Sequence, residues 1–245
     1  MRLAGKTAIV TGAGSGFGAG IARKFGSEGA RVMVVDLNEA AAGGVAAEIG
    51  GIAWRADVSR AASVTAMAKA AVDAFGRVDI IVNNAGISHA PAPLDEVSEA
   101  DFDRVFAVNC KSVYLTCRAL VAHMKDMGGV ILNVASTAGL SPRPGLNWYN
   151  ASKGWMITAS KTMAVELAAR GIRVNAICPV AGETPLLKTF LGEDTPEMRA
   201  KFLATIPMGR FSTPEDIGNA AVFLCSDEAS MITGVALEVD GGRCI

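Results

Sequence analysis

The sequence predicts an α/β fold, a doubly wound parallel sheet with helices on both faces. Short β-branched segments alternate with longer Ala-rich segments, which is the element order of βαβ units. The β-branched segments are apolar over most of their length, as expected for parallel strands buried on both faces. The chain shows no internal repeat beyond this alternation, no low-complexity tract and no linker rich in Pro or Ser. These features predict one domain that spans residues 1–245.

Seven strands are predicted where β-branched and other apolar residues concentrate, as in "TAIVTG" at the start of the chain. In chain order they are expected at 7–12, 31–36, 52–58, 78–86, 129–136, 172–180 and 235–240.

The helices are predicted from apolar periodicity between the strands. The clearest is the segment 60–75, whose apolar residues fall on one stripe: Val64, Met67, Ala68, Ala71, Val72 and Phe75. Further helices are expected at 16–29, 38–50, 98–125, 149–171 and 214–226. Residues 184–212 mix polar and apolar positions with weak periodicity, so neither a helix nor a strand is predicted there.

The composition excludes several classes of function. The net charge is −1 and no basic cluster occurs, so nucleic-acid binding is not expected. No apolar run approaches the ~18 residues of a membrane span. The N-terminal segment enters an apolar strand within a few residues and lacks the apolar stretch and cleavage site of a signal peptide, which predicts a cytoplasmic protein.

The five cysteines are scattered, odd in number and form no CxxC pair. This pattern argues against a disulfide framework and against a zinc site, so no metal is predicted. Each cysteine is expected to be a small buried apolar residue.

The glycine-rich stretch "TGAGSGFG" (11–18) lies between the first strand and the first helix. In that context Gly12 permits a tight turn, Gly16 lets the backbone approach a pyrophosphate, and Gly18 lets the helix pack near the strand. The N-terminus of the helix presents free N–H groups to phosphates. The stretch therefore predicts a Rossmann dinucleotide site; the alternative is a plain glycine-rich βα turn.

Asp36 ends the second strand, 18 residues beyond Gly18. A carboxylate at this place accepts hydrogen bonds from both ribose hydroxyls of an adenosine and repels a 2′-phosphate. No Arg or Lys at 14, 15 or 37 offsets that repulsion. The sequence thus predicts NAD(H) rather than NADP(H), although a strand-end Asp can also be merely solvated.

Two further strand ends carry candidate ligand-binding residues. Asp57 and Val58 end the third strand, and "NNAG" (83–86) ends the fourth. Ligands of open α/β sheets bind at the carboxyl ends of the strands, where Asp57 can bond the adenine amino group with help from the Val58 backbone. Asn83 and Asn84 are also common turn formers, so ligand proximity is one of two interpretations.

Tyr149 and Lys153 are four residues apart on a predicted helix and therefore share a face. A phenol has a pKa of ~10, and a nearby ammonium favours the phenolate, as an acid–base catalyst at neutral pH requires. Ser136, at the end of the fifth strand, is expected at the same sheet edge and can reach the same substrate oxygen. Such a pair alone is common on exposed helix faces, and the prediction of catalysis depends on its combination with the glycine loop, Asp36 and Ser136.

The sequence resembles a classical short-chain dehydrogenase/reductase over essentially its whole length. The residues that support the resemblance are "TGAGSGFG", "NNAG", Ser136, "YNASK" and the closing "VDGG". The resemblance implies a sheet of order 3-2-1-4-5-6-7 and an NAD-dependent oxidoreductase that interconverts a secondary alcohol and a ketone. It also implies a homotetramer with the helices around 98–125 and 150–170 at one interface.

The resemblance assigns roles to individual residues. Tyr149 would be the acid–base group, Lys153 would lower its pKa and bind the nicotinamide ribose, and Ser136 would polarise the carbonyl. Asn109 would support a proton relay to the lysine, and Thr184 would bond the nicotinamide carboxamide. The implied cofactor contacts are Gly12, Ser15, Gly16, Phe17, Gly18, Asp36, Leu37, Asp57, Val58, Asn84, Ala85, Gly86, Tyr149, Lys153, Pro179, Val180 and Thr184.

One position departs from the family pattern. Pro179 is followed by Val180, where the family usually has Gly, and Gly182 comes two residues later. Because valine adopts positive φ only at a cost, the backbone near the nicotinamide is expected to follow a different path.

The segment 184–212 is expected to cover the active site as a substrate lid. Its apolar residues, with others around the catalytic tyrosine, predict a pocket for a small to medium apolar substrate: Leu186, Leu187, Phe190, Leu191, Met198, Phe202, Leu140, Pro142, Leu146 and Trp148. Arg143 and His89 are the ionisable candidates for substrate contact; Arg143 suits a carboxylate or phosphate, and His89 is otherwise a solvated loop residue.

Three alternatives to a simple ketone reductase stay open at this point. The chain can be a 3-oxoacyl-thioester reductase of the acyl carrier protein type, although Asp36 and the net charge argue against it. It can be a sugar or polyol dehydrogenase. Outside enzymes, it can be a non-catalytic dinucleotide sensor, since a fold does not fix a function.

Overall fold

The structure, a computed structural model, describes residues 1–124 and 128–245. Within these residues seven strands form one sheet in which every neighbouring pair is parallel. The strands are β1 (Thr7–Thr11), β2 (Arg31–Asp36), β3 (Ile52–Arg55), β4 (Ile80–Asn83), β5 (Gly129–Val134), β6 (Ile172–Pro179) and β7 (Ala236–Val239). Their order, β3-β2-β1-β4-β5-β6-β7, confirms the predicted topology.

Nine α-helices of the described residues connect and flank the strands. They are α1 (Gly16–Ser27), α2 (Glu39–Ile49), α3 (Ala61–Phe75), α4 (Glu99–Phe106), α5 (Ser112–Met124), α6 (Asn147–Leu167), α7 (Leu187–Leu191), α8 (Pro196–Leu203) and α9 (Pro214–Cys225).

The core lies in two layers on opposite faces of the sheet. In β1, Val10 packs against the layer formed by α1, α2 and α9, whereas its neighbour Ile9 packs against the layer of α3, α5 and α6. This alternation follows from the two-residue period of a strand. Both residues are fully buried, which explains why the strands are apolar throughout.

Six of the seven strands are shorter than the sequence predicts, and the difference is largest for the third and fourth. The prediction for the third strand extends to residue 58 and that for the fourth to residue 86, but β3 ends at Arg55 and β4 at Asn83. Beyond these points the chain leaves the sheet: the Asp57 side chain turns back to Ser59. The residues predicted as strand beyond Arg55 and Asn83 therefore form loops at the edge of the sheet. A run of apolar residues in the sequence does not distinguish such a loop from a strand.

The segment predicted as one helix at 98–125 contains a change of winding. Between α4 and α5, residues Ala107–Lys111 form a π-helical turn, a feature that is frequent at functional sites. The final predicted residue, 125, lies outside the described residues. By length and composition the continuous stretch Glu99–Met124 could cross a membrane, a test that buried helices of soluble proteins also pass, and part of it is buried here. Charged residues such as Lys111 and Arg118 interrupt this stretch, so it is not an unbroken apolar run of membrane length.

Residues 184–212 contain two short helices, α7 and α8, that the weak periodicity did not predict. The Thr195 side chain caps the N-terminus of α8, directly before Pro196. The segment has a small core of its own with the end of β6: Val180, Ala181, Leu187, Leu191, Phe202, Ile206 and Phe211.

Candidate active site

The glycine loop has the backbone geometry that the sequence predicts. Gly12 and Gly16 adopt positive φ, 62° and 55°. At Gly18, which lies in α1, a Cβ atom would collide with the carbonyl oxygen of Gly12 and with the Asn84 side chain. The three glycines thus make a turn, a bare surface and a close helix–strand contact, which are the three features a pyrophosphate cradle needs.

Thr11 and Asn84 join this loop to the end of β4. The Thr11 hydroxyl accepts N–H groups from Asn84 at 3.1 Å and from Ala85 at 3.2 Å. The Asn84 amide in turn donates to the carbonyls of Thr11 and Gly12 at 2.9 and 3.0 Å. The role of Thr11 is not evident from the sequence, because it depends on the adjacency of β1 and β4.

The N-terminus of α1 faces the cleft without a side-chain cap. Within the described part of the chain, the Ser15 hydroxyl accepts no N–H group from the first turn. The first N–H groups and the positive end of the helix dipole are therefore available to an anion.

Asp36 is fixed beside this loop. One carboxylate oxygen accepts the N–H of Gly14 and the other that of Asn38, both at 2.9 Å. Each oxygen can accept a further hydrogen bond. Asp36 lines the cleft together with the exposed Leu37.

Asp57 and Val58 line the same cleft. The Asp57 carboxylate accepts from the Ser59 backbone and hydroxyl and lies 3.2 Å from the Arg60 guanidinium. The Ser59 hydrogen bond in particular, and Arg60, lower the pKa of Asp57. The carboxylate is therefore ionised and already has protein partners.

Tyr149, Lys153 and Ser136 meet at the inner end of the cleft, as the sequence predicts. Tyr149 and Lys153 project from the first turns of α6 and are almost fully buried. Lys153 Nζ donates to the Val134 carbonyl at 2.8 Å and lies 5.9 Å from the Tyr149 ring centre. Ser136 Oγ accepts the Ala138 N–H at 3.1 Å and lies close enough to the Tyr149 phenol to oppose the rise in its pKa.

Burial controls the protonation of Tyr149 and Lys153. Desolvation raises the pKa of Tyr149 to about 12, against the opposing effects of Ser136 and Arg143. It lowers the pKa of Lys153 to about 8. This differs from the expectation that Lys153 lowers the pKa of the phenol, because taking both groups out of water disfavours both charged forms.

Asn109 lies in the π-helical turn and is fully buried. Its Oδ1 accepts the Ile87 N–H, and its Nδ2 donates to the Ile87 carbonyl and to Ser152 Oγ, each at 2.9 Å. Asn109 therefore ties the loop after β4 to α6, one residue before Lys153. Its side chain does not line the cleft.

The segment after β6 accommodates valine without strain. No non-glycine residue of the described chain has positive φ. The Val180 N–H continues the ladder to Val239 at 3.3 Å. The close approach occurs instead at Gly182, where a Cβ atom would collide with the Phe17 ring. Thr184 lies against Gly16 and lines the cleft.

These elements enclose a cleft of about 380 Å³ along the carboxyl ends of the strands. All of the predicted cofactor contacts line it except Gly18, whose place in the site is structural. Residues that were not predicted from the sequence also line the cleft: Ala56, Ile87, Val108, Val134, Ala135, Thr137, Ala181 and Pro185. Of these, Ile87 follows "NNAG" directly and could have been found from that adjacency.

The substrate end of the cleft differs from the prediction in its details. Leu186 and Phe190 line the cleft, and the Phe190 ring centre lies 5.2 Å from that of Tyr149. Trp148 instead packs edge-on against Phe102. His89, expected in solvent or at the substrate, is buried away from the cleft, with Nδ1 bonded to the Ala90 carbonyl.

A glycine-lined phosphate cradle, an acidic residue at the end of β2 and a buried Tyr–Lys–Ser group define a dinucleotide-dependent oxidoreductase. Comparison with known proteins agrees. A family model described as enoyl-(acyl carrier protein) reductase matches residues 12–243.

Individual relatives match over almost the entire chain. The 4-formylbenzenesulfonate dehydrogenase of Comamonas testosteroni is 48% identical, with 100% of both chains covered. The D-threitol dehydrogenase of Mycolicibacterium smegmatis is 43% identical, with 100% of this chain and 95% of the relative covered. A crystal structure of a 3-ketoacyl-(acyl-carrier-protein) reductase from Brucella melitensis, complexed with NADH, has 53% identity and a TM-score of 0.95, with 99% of this chain and 100% of the other covered.

The chain belongs to the short-chain dehydrogenase/reductase family. It is an oxidoreductase that acts on the CH–OH group of small-molecule alcohols and on the corresponding ketones, with a nicotinamide dinucleotide as cofactor.

Proposed function

We propose that the protein interconverts a secondary alcohol and a ketone by hydride transfer, with NAD(H) as cofactor and Tyr149 as the acid–base group. The observation that supports this most directly is the convergence of Tyr149, Lys153 and Ser136 at one buried point of the cleft.

In alcohol oxidation the Tyr149 oxygen takes the hydroxyl proton, and in ketone reduction it returns a proton to the carbonyl oxygen. Ser136, which lines the cleft beside the phenol, donates to the same substrate oxygen and stabilises the charge that develops there. Lys153 holds its position through Val134, and Asn109 positions the loop and helix around it. The nicotinamide, when bound, exchanges the hydride with the substrate carbon and in its oxidised form favours the phenolate.

The residues present fit a dinucleotide. The uncapped N-terminus of α1 and the bare surface at Gly16 suit a pyrophosphate, and Asp36 suits the adenosine ribose. The carboxylate disfavours a 2′-phosphate, and Leu37 supplies no compensating charge. We therefore assign NAD(H) as the preferred cofactor.

The substrate is a small to medium molecule with an apolar part. Leu186 and Phe190 place apolar surface beside Tyr149, and α7 and α8 connect this surface to the small core of residues 184–212. We propose that this segment acts as the substrate lid of a single domain, residues 1–245.

The second candidate is a 3-oxoacyl-thioester reductase. It is favoured by the 53% identity to the Brucella melitensis reductase, and a polyol substrate is favoured more weakly by the D-threitol relative. Assays with acetoacetyl-CoA, with threitol and with aryl ketones distinguish the three.

Tyr149→Phe tests the proposed reaction. Without the phenolic oxygen, turnover should fall by about 10³-fold or more, while NADH binding measured by fluorescence stays within about threefold. Tyr114→Phe is the matched control, because Tyr114 is the other tyrosine of the chain and is exposed. Turnover by Tyr149→Phe close to that of the control would contradict the proposal.

For the assembly we propose a homotetramer, and for the compartment a reducing cytoplasm. The exposed apolar side chains of α5 and α6 support the first, and the five unpaired cysteines of the described residues support the second.

A further inference from the structure

Arg143 lines the cleft wall together with Tyr149, and its positive charge opposes the rise in the pKa of that phenol. Its guanidinium carbon sits 4.4 Å from the centre of the Phe202 ring, on helix α8. Its side chain has no carboxylate partner within residues 1–124 and 128–245. Half-buried arginines are usually paired with an acidic group, so this one is an available cation.

The surroundings increase this local positive charge instead of neutralising it. Besides burial, the like charge of Arg243 lowers the pKa of the Arg143 guanidinium. An anion that bound Arg143 would not have to displace a carboxylate from it, and the second positive charge would add to the attraction.

The guanidinium is also held in place before any ligand arrives. The Arg143 carbonyl accepts a hydrogen bond from Asn150 Nδ2 at 2.7 Å, and Asn150 is the neighbour of Tyr149 on α6. On the other side of the same loop, the Gly145 carbonyl accepts from Ala92 at 3.0 Å. With its backbone tied to α6 and its guanidinium over the Phe202 ring, Arg143 is held in position in the cleft wall.

We propose that Arg143 is the specificity residue of this active site and that the natural substrate carries a carboxylate or sulfonate at the end remote from the reacting carbon. The inference rests on the proposed function. Both anions present paired oxygens that match the planar guanidinium. The apolar residues between Arg143 and the reacting centre then receive the body of the substrate.

The test uses binding to a complex that does not react. In the Tyr149→Phe background with NADH, dissociation constants are measured by nicotinamide fluorescence for 4-acetylbenzoate, 4-acetylbenzenesulfonate and the neutral 4-acetylbenzamide. With Arg143 present, each anion should bind at least about tenfold more tightly than the amide. Arg143→Gln should reduce this preference to under about threefold without weakening amide binding, and Arg143→Lys should retain part of it.

A matched control is Arg23→Gln, which removes a positive charge that Glu48 binds on an outer surface, and which should keep the full preference. Equal or undetectable binding of all three ketones overturns the inference. An Arg143→Gln variant that weakens the binding of all three ketones equally also overturns the inference, because loss of the contact with Phe202 would produce that result. Turnover of 4-acetylbenzamide by the wild-type protein without any preference for the anions would remove this inference and leave the proposed reaction standing.

Discussion

At the scale of single residues, Lys153 shows how burial sets the chemistry of the site. Its ammonium is surrounded by protein, and one hydrogen bond to Val134 does not replace the lost water. The pKa of Lys153 therefore falls to about 8 in the folded chain, compared with 10.5 in the unfolded chain. Between these values the unfolded state binds more protons, so the stability contributed by this residue rises with pH.

The first prediction follows from that sign. The buried charge of Lys153 lowers the unfolding free energy by its full amount below pH 8, and this effect is lost above pH 10.5. The difference in unfolding free energy between wild type and Lys153→Met should therefore shift in favour of the wild type by about 2 kcal/mol between pH 7 and 9.5. Urea unfolding at the two pH values measures it. Lys161→Met, on the exposed face of the same helix, is the control, and equal shifts in both variants would contradict the assignment.

Asp36 is a second residue whose role, the selection of NAD(H) over NADP(H), can be tested by substitution. Asp36→Asn removes the charge and keeps an acceptor for the Gly14 N–H, so the loop should stay in place. The ratio of kcat/KM for NAD+ to that for NADP+ should fall by about tenfold or more, and further when Leu37→Arg is added, because a guanidinium then faces the 2′-phosphate. An unchanged ratio in the double variant would show that Asp36 does not select the cofactor.

At the scale of elements, the junction between β1 and α1 is the tightest part of the site. A Gly18→Ala variant forces a methyl group against the Gly12 carbonyl and the Asn84 amide, both fixed by hydrogen bonds. The expected cost is about 2–3 kcal/mol in unfolding free energy, with weaker NADH binding. Gly44→Ala in α2 has open space around it and should stabilise by about 0.5–1 kcal/mol. Thermal unfolding of the two variants compares them, and similar shifts would argue against close packing at Gly18.

At the scale of the whole molecule, apolar surface remains on the α5 and α6 side. Tyr114 on α5 is 52% exposed, and Trp155 and Val165 on α6 are 40% and 81% exposed. Large exposed apolar side chains on neighbouring helices are typical of an interface between subunits.

We therefore expect a solution mass of about four times the 25.2 kDa of one chain. Val165→Glu should reduce that mass, because Val165 is too exposed to matter for the fold of the monomer. Met231→Glu, at an exposed position outside these helices, should leave it unchanged. Size-exclusion chromatography with light scattering decides between the outcomes, and a monomeric wild type would exclude the tetramer.

The amino-acid sequence by itself determined the class of fold, the order of elements and most of the site. These depend on local patterns: strand and helix periodicity, the spacing of glycines between β1 and α1, and the i, i+4 spacing of Tyr149 and Lys153. A helix or a tight turn brings residues at these spacings together wherever it occurs, so the local sequence is enough to predict that they are close.

Only the tertiary structure decided what depends on distant segments meeting. The link from Thr11 to Asn84, the burial that raises the pKa of Tyr149, the stacking of Arg143 on Phe202 and the burial of His89 each join residues far apart in the chain. Desolvation and contact are properties of the space around a group, and that space is formed by elements whose positions the local pattern does not specify.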